Sequence, residues 1–191
     1  MRNSGGCPMA FFETRHNNME KTFVRLYTGN GQGKTTAAFG LSVRVLCSGR
    51  RVYVGQFVKD EKYSETRLAA MLPQGLLTVE QLGSGCFLSR KPAEADVQAA
   101  RRGLERCSAL MSSGDYGLVV LDELTIALYY GLLTEAEVMA AIDGRHPATE
   151  VVVTGRYAPQ WLVDAAQLVT DMREVKHYYR QGVLSRDGYD H

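Results

Sequence analysis

Short apolar runs alternate with segments of helical spacing along this chain of 191 residues. Runs such as residues 118–121 and 151–153 are apolar at every position, so the strands that they predict would be buried on both faces. Such strands are typical of a parallel sheet that helices cover on both sides. Six strands are predicted in this way, over residues 22–27, 51–57, 75–82, 117–122, 150–155 and 167–172.

Three segments place apolar residues at helical spacing. The first spans about residues 34–48, with Gly49 as its expected C-terminal cap. The second follows Pro92, and the third opens with a capping box made by Thr134 and Glu137. Strands that alternate with helices predict one α/β domain of three layers, with a mostly parallel central sheet.

The composition of the chain favours neither a nucleic-acid partner nor a membrane partner. Basic residues number 22 and acidic residues 21, so the net charge is +1 and no nucleic-acid partner is expected. No apolar run approaches the roughly 18 residues of a membrane span, so no membrane partner is expected either. The four cysteines are scattered without metal-ligand spacing, and Cys47 and Cys107 fall on apolar helix faces as expected core residues. A reduced, cytoplasmic protein is the simplest interpretation.

The stretch TGNGQGKTT, residues 28–36, is close to the phosphate-binding pattern G-x-x-x-x-G-K-[ST], with threonine in place of the first glycine. A predicted strand precedes it and a predicted helix follows. In this context the loop's backbone N–H groups and the helix N-terminus bind phosphate oxygens. Lys34 would neutralise phosphate charge, and the Thr35 hydroxyl would bind Mg²⁺. The predicted nucleotide-binding residues are Thr28, Gly29, Asn30, Gly31, Gln32, Gly33, Lys34, Thr35 and Thr36.

A second motif supports the first. The apolar strand at residues 117–122 ends in Asp122 and Glu123, an arrangement that brings carboxylates to a magnesium ion beside the phosphates. Either motif alone is weak, but together they indicate an ATP-binding protein. The motifs leave the reaction open, because Thr28 alters the loop and no arginine finger is identifiable.

Longer stretches resemble the ATP:corrinoid adenosyltransferases that have a P-loop fold. The resemblance lies in YTGNGQGKTTAAFGLSVR, VYVGQFVK, LVVLDEL, VVVTGR and VKHYYRQGV, and it covers about residues 22–191. Thr28 fits the loop pattern of that family. The resemblance implies a three-layer α/β/α P-loop fold of the RecA-like kind. It also implies transfer of the 5′-deoxyadenosyl group of ATP to the Co(I) of a reduced corrinoid, with release of triphosphate.

The resemblance also implies roles for individual residues. Because the attacking atom is the cobalt of the substrate, the protein needs no strong side-chain base. Lys34, Thr35 and Glu123 would be the catalytic residues, since they stabilise the departing triphosphate and hold Mg²⁺ or Mn²⁺. Asp122 would act at the same metal by orienting its waters. Residues 1–21 are expected to be a flexible lead-in that closes over the corrinoid, and residues 22–191 the adenosyltransferase domain.

Several further residues are candidates with an ordinary structural alternative. Arg44 and Arg156 are expected near the nucleotide, or else they are a helix-surface and a strand-end arginine. Gln56 and Lys59 would contact nucleotide or corrinoid, or lie solvated at a strand end. Phe87 is the one aromatic residue where better-known members have a pair that packs against the corrinoid.

The C-terminal Lys176 and His177 either face the site or have a structural role. As partners besides ATP and the corrinoid, the resemblance suggests a second copy in a homodimer and a reductant protein such as a flavodoxin.

Two other functions are compatible with the same motifs. A nucleoside kinase or RecA-like ATPase would transfer or release the terminal phosphate. A non-catalytic carrier would bind corrinoid or nucleotide without releasing triphosphate. The products of a reaction with ATP, Mg²⁺ and reduced corrinoid distinguish all three.

Overall fold

The computed structural model describes residues 21–58, 63–83 and 91–190. The described strands are β1 Val24–Thr28, β2 Val52–Gln56, β3 Leu77–Gln81, β4 Leu118–Asp122, β5 Glu150–Thr154 and β6 Leu168–Asp171. The described α-helices are α1 Lys34–Cys47, α2 Leu68–Met71, α3 Glu94–Ser113, α4 Leu124–Tyr129, α5 Glu135–Asp143 and α6 Gln160–Ala165. All six predicted strands and all three predicted helices are confirmed, and their ends differ from the predicted ones by a few residues.

The strands form one sheet in the order β3-β2-β4-β5-β1-β6, and every neighbouring pair is parallel. The prediction of a mostly parallel sheet is therefore confirmed. All the strands end at the same edge, where open α/β sheets bind their ligands. Strand β5 lies between β1, which precedes the glycine-rich loop, and β4, which ends in Asp122. Gln56 pairs with Asp122 in this register, and Thr28 pairs with Asp171.

The helices form a layer on each side of the sheet. Alternate residues of β4 face opposite ways: Val120 packs with the cluster around Phe39 of α1, and Val119 packs with the cluster around Leu104 of α3. Helices α4, α5 and α6 contribute to the α3 side, and Leu68 and Ala69 of α2 pack on the α1 side. Because both faces of β4 and β5 are covered, residues 118–121 and 151–153 are apolar at every position. The three-layer α/β/α P-loop fold is confirmed.

Local details correct some of the expectations. Ser48 is the C-terminal cap of α1, and Gly49 follows it at a φ of 82°. Cys107 is buried as expected, but Cys47, the last residue of α1, is exposed and so is not a core residue. Helices α2, α4 and α6 have four to six residues, too few to show helical spacing in the sequence.

Some expectations fall on residues outside the described ranges. Nearly all of the expected lid at residues 1–21 is among them, as are Lys59 and Phe87. Within the described ranges, no helix combines the length and the apolar character needed to cross a membrane.

Candidate active site

The glycine-rich loop between β1 and α1 lies against the end of β6. The Gly31 N–H donates to the Met172 carbonyl oxygen at 2.6 Å, and the Met172 N–H donates to the Thr28 carbonyl oxygen at 2.8 Å. A Cβ on Gly31 would lie 2.6 Å from the same Met172 oxygen, so any larger residue would force loop and strand apart. Gly29 has a φ of 97°, which glycine adopts without steric cost. Contacts with a strand from the far end of the chain therefore fix the loop's shape.

The Lys34 ammonium group lies inside this loop. Its Nζ donates to the carbonyl oxygens of Gly29 at 2.8 Å and Gly31 at 2.7 Å. Burial lowers the pKa of Lys34; Arg156 lowers it further, while nearby carboxylates, Glu123 foremost, act in the opposite direction. A positive charge that has lost hydration gains most from a bound anion. Together with the N-terminus of α1, which begins at Lys34, the loop suits a phosphate group.

Asp122 is held by three side chains from three different elements. The Thr35 hydroxyl donates to Asp122 Oδ1 at 2.9 Å, and the Thr154 hydroxyl donates to the same oxygen at 2.7 Å. Gln56 Nε2 donates to Asp122 Oδ2 at 3.0 Å. Gln56 is therefore not a solvated strand end, because it is fully buried beside its paired neighbour Asp122, and its contact with a ligand stays a prediction. Through Thr35, this arrangement joins the glycine-rich loop, called the phosphate loop below, to the end of β4.

Glu123 follows Asp122 in a left-handed backbone conformation, with a φ of 58°. Such a conformation costs a non-glycine residue about 1–3 kcal/mol, so the surrounding structure must hold it in place. The Glu123 N–H donates to Thr154 Oγ1 at 2.9 Å. A Cβ on Gly155 would lie 3.2 Å from Glu123 Oε2 and would overlap the Thr125 hydroxyl. The lack of a side chain at Gly155 leaves room for the Glu123 carboxylate at the floor of the cleft.

A cleft of about 930 Å³ opens above these groups. Its volume is at the upper end of the range for small-molecule sites. Of the residues predicted to bind nucleotide or metal, residues 31–36, Glu123 and Arg156 line it. Thr28, Gly29, Asn30 and Asp122 do not line it, and neither does Arg44, which is exposed on α1. The roles assigned to these residues remain predictions.

Six tyrosines that also line the cleft form a set, called the aromatic wall below, that the sequence analysis did not identify. Tyr157 has a φ of 57°, a conformation that is unusual for a bulky residue, and its ring lies 4.5 Å from that of Tyr129 between centroids. The wall consists of Tyr63, Tyr130, Tyr157, Tyr178, Tyr179 and Tyr189. The Tyr-Tyr pairs at 129–130 and 178–179 were the available signal, but their convergence requires the fold.

His177 combines both of its expected roles. It lines the cleft, and its Nδ1 accepts a hydrogen bond from the Tyr179 N–H at 3.1 Å, which caps a short 3₁₀ turn. Lys176 is exposed and does not line the cleft.

The C-terminal segment, residues 177–190, returns to the glycine-rich loop. Gln32 Nε2 donates to Asp190 Oδ1 at 2.9 Å, and the Tyr178 hydroxyl donates to the same oxygen. Arg186 Nε donates to Asp190 Oδ2 at 3.0 Å, and the Arg186 guanidinium lies over the Tyr178 ring at 4.7 Å from its centroid. Asp190 thereby connects the aromatic wall to the phosphate loop.

The oxygen atoms around Thr35 fit a magnesium ion. Within the described ranges, no three His, Cys, Asp or Glu side chains form a metal-binding group on their own. Mg²⁺ does not need one, because it commonly uses one or two carboxylates together with the phosphates of its substrate. Thr35, Asp122 and Glu123 supply such oxygens beside the loop. Gln56 Oε1, beside Asp122, is buried with no hydrogen-bond partner among the described residues, so one more oxygen acceptor is available next to the carboxylates.

The chain matches a known family over nearly its whole length. The family of ATP:corrinoid adenosyltransferases BtuR/CobO/CobP matches residues 20–191. The chain belongs to this family. The resemblance found in the sequence is confirmed, and the loop, the carboxylates and the aromatic wall of the adenosyltransferase fold all lie inside the matched range.

Individual relatives agree with the family assignment. A corrinoid adenosyltransferase of Pseudomonas aeruginosa is 34% identical over 172 residues, which cover 90% of this chain and 84% of the relative. A corrinoid adenosyltransferase of Escherichia coli strain K12 is 31% identical, covering 90% of this chain and 87% of the relative. Corrinoid adenosyltransferase CobA of Salmonella typhimurium is 33% identical, with the same two coverages.

Proposed function

We propose that this chain transfers the 5′-deoxyadenosyl group of ATP to the Co(I) of a reduced corrinoid in the cleft described above, with triphosphate as the second product. Membership in the ATP:corrinoid adenosyltransferase family supports the reaction. One contact supports its location: the Thr35 hydroxyl of the phosphate loop donates to Asp122 at 2.9 Å, which joins the two halves of an ATP site. A kinase or ATPase is not favoured by the family match.

In this reaction a cobalt–carbon bond forms at C5′ as the bond between C5′ and the triphosphate oxygen breaks. The electron pair of the broken bond leaves with the triphosphate. The chain's task is to align the two substrates and to stabilise the departing negative charge. The Lys34 ammonium group, fixed by two loop carbonyls, and the N-terminus of α1 meet that charge. Arg156, which lines the cleft, adds a second cation.

Thr35 and Glu123 are the residues that would hold Mg²⁺ or Mn²⁺, with Asp122 orienting Thr35 and the waters of the metal. When bound, such an ion neutralises charge on the triphosphate oxygens as a Lewis acid. The Thr35 hydroxyl suits this role because it donates its proton to Asp122, which leaves its lone pairs for a cation.

The aromatic wall is the part of the cleft that suits the corrinoid. A corrinoid is a large, flat ligand, and tyrosine rings offer it apolar faces together with hydroxyl groups that bind its polar edge. Packing a large ligand against the wall also excludes water from the reacting cobalt. Phe87 lies outside the described residues, and its contact with the corrinoid stays a prediction.

Three properties expected from sequence complete the proposal. The chain acts in the cytoplasm, forms a homodimer, and receives its corrinoid reduced by a protein such as a flavodoxin. Sedimentation analysis tests the dimer, and a reduction assay with and without a flavodoxin tests the donor.

One reaction tests the function itself. ATP, Mg²⁺ and a chemically reduced corrinoid are mixed with the protein, and the products are separated. We expect a cobalt–carbon bond, seen by its visible absorption and by mass, and intact triphosphate in equal amount. ADP or orthophosphate as the first product would instead identify a kinase or an ATPase. Tight corrinoid binding without either product would identify a carrier.

A further inference from the structure

Thr154 is the last residue of β5, the strand between the two that carry the ATP-binding motifs. Its side chain is fully buried, and it does not line the cleft. Its one hydroxyl makes two bonds: it donates to Asp122 Oδ1 at 2.7 Å and accepts from the Glu123 N–H at 2.9 Å. Thr154 therefore contacts both residues of the carboxylate pair without reaching the substrate.

The two bonds act on different parts of the pair. The bond to Asp122 sets the direction of a carboxylate that also accepts from Thr35 at 2.9 Å. The bond from Glu123 holds its backbone at a φ of 58°, a conformation that non-glycine residues rarely adopt. Without an acceptor for this N–H, the peptide would relax and redirect the Glu123 side chain.

A neighbouring contact strengthens the same connection. The Thr125 hydroxyl, in the first turn of α4, donates to the Arg156 carbonyl oxygen at 2.6 Å. The segment after β5 and the segment after β4 are thus joined on both sides of Glu123. Of these residues, Thr154 is the one whose side chain contacts both Asp122 and Glu123.

We propose that Thr154 is a positioning residue for metal binding: its hydroxyl orients Asp122 and fixes the Glu123 backbone, so that both act on one ion. This inference rests on the proposed function only for what the ion does. Residues that orient metal-binding groups typically change metal affinity or activity by about 10–100-fold when they are replaced.

The test compares Thr154→Val, which keeps the shape and removes the hydroxyl, with Thr154→Ser, which keeps the hydroxyl. Thr149→Val is the matched control, because Thr149 is equally buried and its hydroxyl donates to the Tyr116 carbonyl oxygen at the opposite end of β5. Binding of Mn²⁺ in the presence of ATP is measured by electron paramagnetic resonance, without corrinoid. Activity is then measured as a function of Mg²⁺ concentration.

We expect T154V to weaken Mn²⁺ binding and to raise the Mg²⁺ requirement by about 10-fold or more. T154S should stay within about threefold of the wild type, and T149V should lose stability while keeping its metal dependence. If T154V does not fold, Thr154→Cys takes its place, because its thiol is a weaker donor and should give an intermediate metal affinity.

Wild-type metal dependence in T154V, or a T154S variant as impaired as T154V, would overturn the proposal. Failure of the proposed function is a separate outcome: the wild type would then form no cobalt–carbon bond. The Mn²⁺ measurement would still decide the role of Thr154, because it needs no corrinoid.

Discussion

Two regions around the cleft, the phosphate end and the aromatic wall, are built in different ways. At the phosphate end, Lys34 is 6% exposed and Asp122 and Thr154 are 0% exposed, and all three are fixed by contacts from strand ends and the loop. On the aromatic wall, Tyr179 is 67% and Tyr189 79% exposed, and the side chains come from loops and the C-terminal segment. A small, highly charged group needs fixed partners, whereas a large flat ligand can order an exposed wall as it binds.

The largest effect should come from the buried cation at the phosphate end. We expect Lys34→Ala to reduce adenosyl transfer by about 10²–10³-fold or more, because the departing triphosphate loses its fixed positive partner. The measurement is the rate of cobalt–carbon bond formation under saturating substrates. Lys176→Ala, at an exposed lysine outside the cleft, is the control and should keep its activity. A Lys34→Ala variant with near-normal turnover would contradict the assignment of this end.

Loop shape is the next test. Gly31→Ala places a Cβ only 2.6 Å from the Met172 carbonyl oxygen, so the loop must move away from the end of β6. We expect ATP affinity to fall by about 10-fold, the equivalent of roughly 1.4 kcal/mol, when it is measured by calorimetry.

Gly40→Ala is the contrasting variant, because it is expected to stabilise the protein and to leave ATP binding unchanged. Gly40 lies inside α1, and a Cβ there meets nothing within 4 Å. This change should raise the free energy of unfolding by about 1 kcal/mol and leave ATP binding intact. If both variants bind ATP normally, the loop does not need its contact with β6.

A smaller effect is expected at the aromatic wall. Asp190→Ala removes the acceptor shared by Gln32, Tyr178 and Arg186, so the C-terminal segment should lose order. The KM for corrinoid should rise about three- to fivefold, as expected for partly exposed bonds worth near 1 kcal/mol. The KM for ATP should change less than twofold, and limited proteolysis should cut the segment faster. Asp164→Ala, which removes an exposed contact with Gln160 on α6, is the control. An equal rise in both KM values would mean that the two regions are not separate.

The smallest effect should come from α5, away from the cleft. Hydrogen bonds from the Thr134 side chain and N–H lower the pKa of Glu137, and Arg101 lowers it further. Because the folded-state pKa lies below the unfolded one, this stabilisation is present at neutral pH and is lost as the pH falls through the folded-state pKa. Glu137→Gln should cost about 0.5 kcal/mol at pH 7, since the side chain is one-third exposed.

The difference between Glu137→Gln and the wild type should shrink as the pH falls below the ordinary range of a glutamate pKa and through the lowered folded-state pKa. Urea titrations at several pH values measure it, and Glu135→Gln, in the same turn, is the control. A difference that stays constant with pH would show that ionisation of Glu137 contributes nothing.

The sequence predicted those parts of the molecule that depend on neighbours in the chain. Strands β4 and β5 carry runs of successive apolar residues, and the loop motif has its strand before it and its helix after it. The roles of Gln56 and Thr154 were not predictable, because their bonds to Asp122 run between strands and depend on the register of the sheet. The aromatic wall draws on residues from Tyr63 to Tyr189, which only the fold brings together.

The position of β1 in the sheet has a consequence for synthesis on the ribosome. β1 is the first of the six strands along the chain, yet its two neighbours in the sheet are β5 and β6, at residues 150–154 and 168–171. Emerging β1 therefore waits, without hydrogen-bonded neighbours, until most of the polypeptide has been translated. Until β5 and β6 are made, the backbone groups of β1 remain open to pairing with strands of other chains, which is the general route to aggregation of unpaired strands.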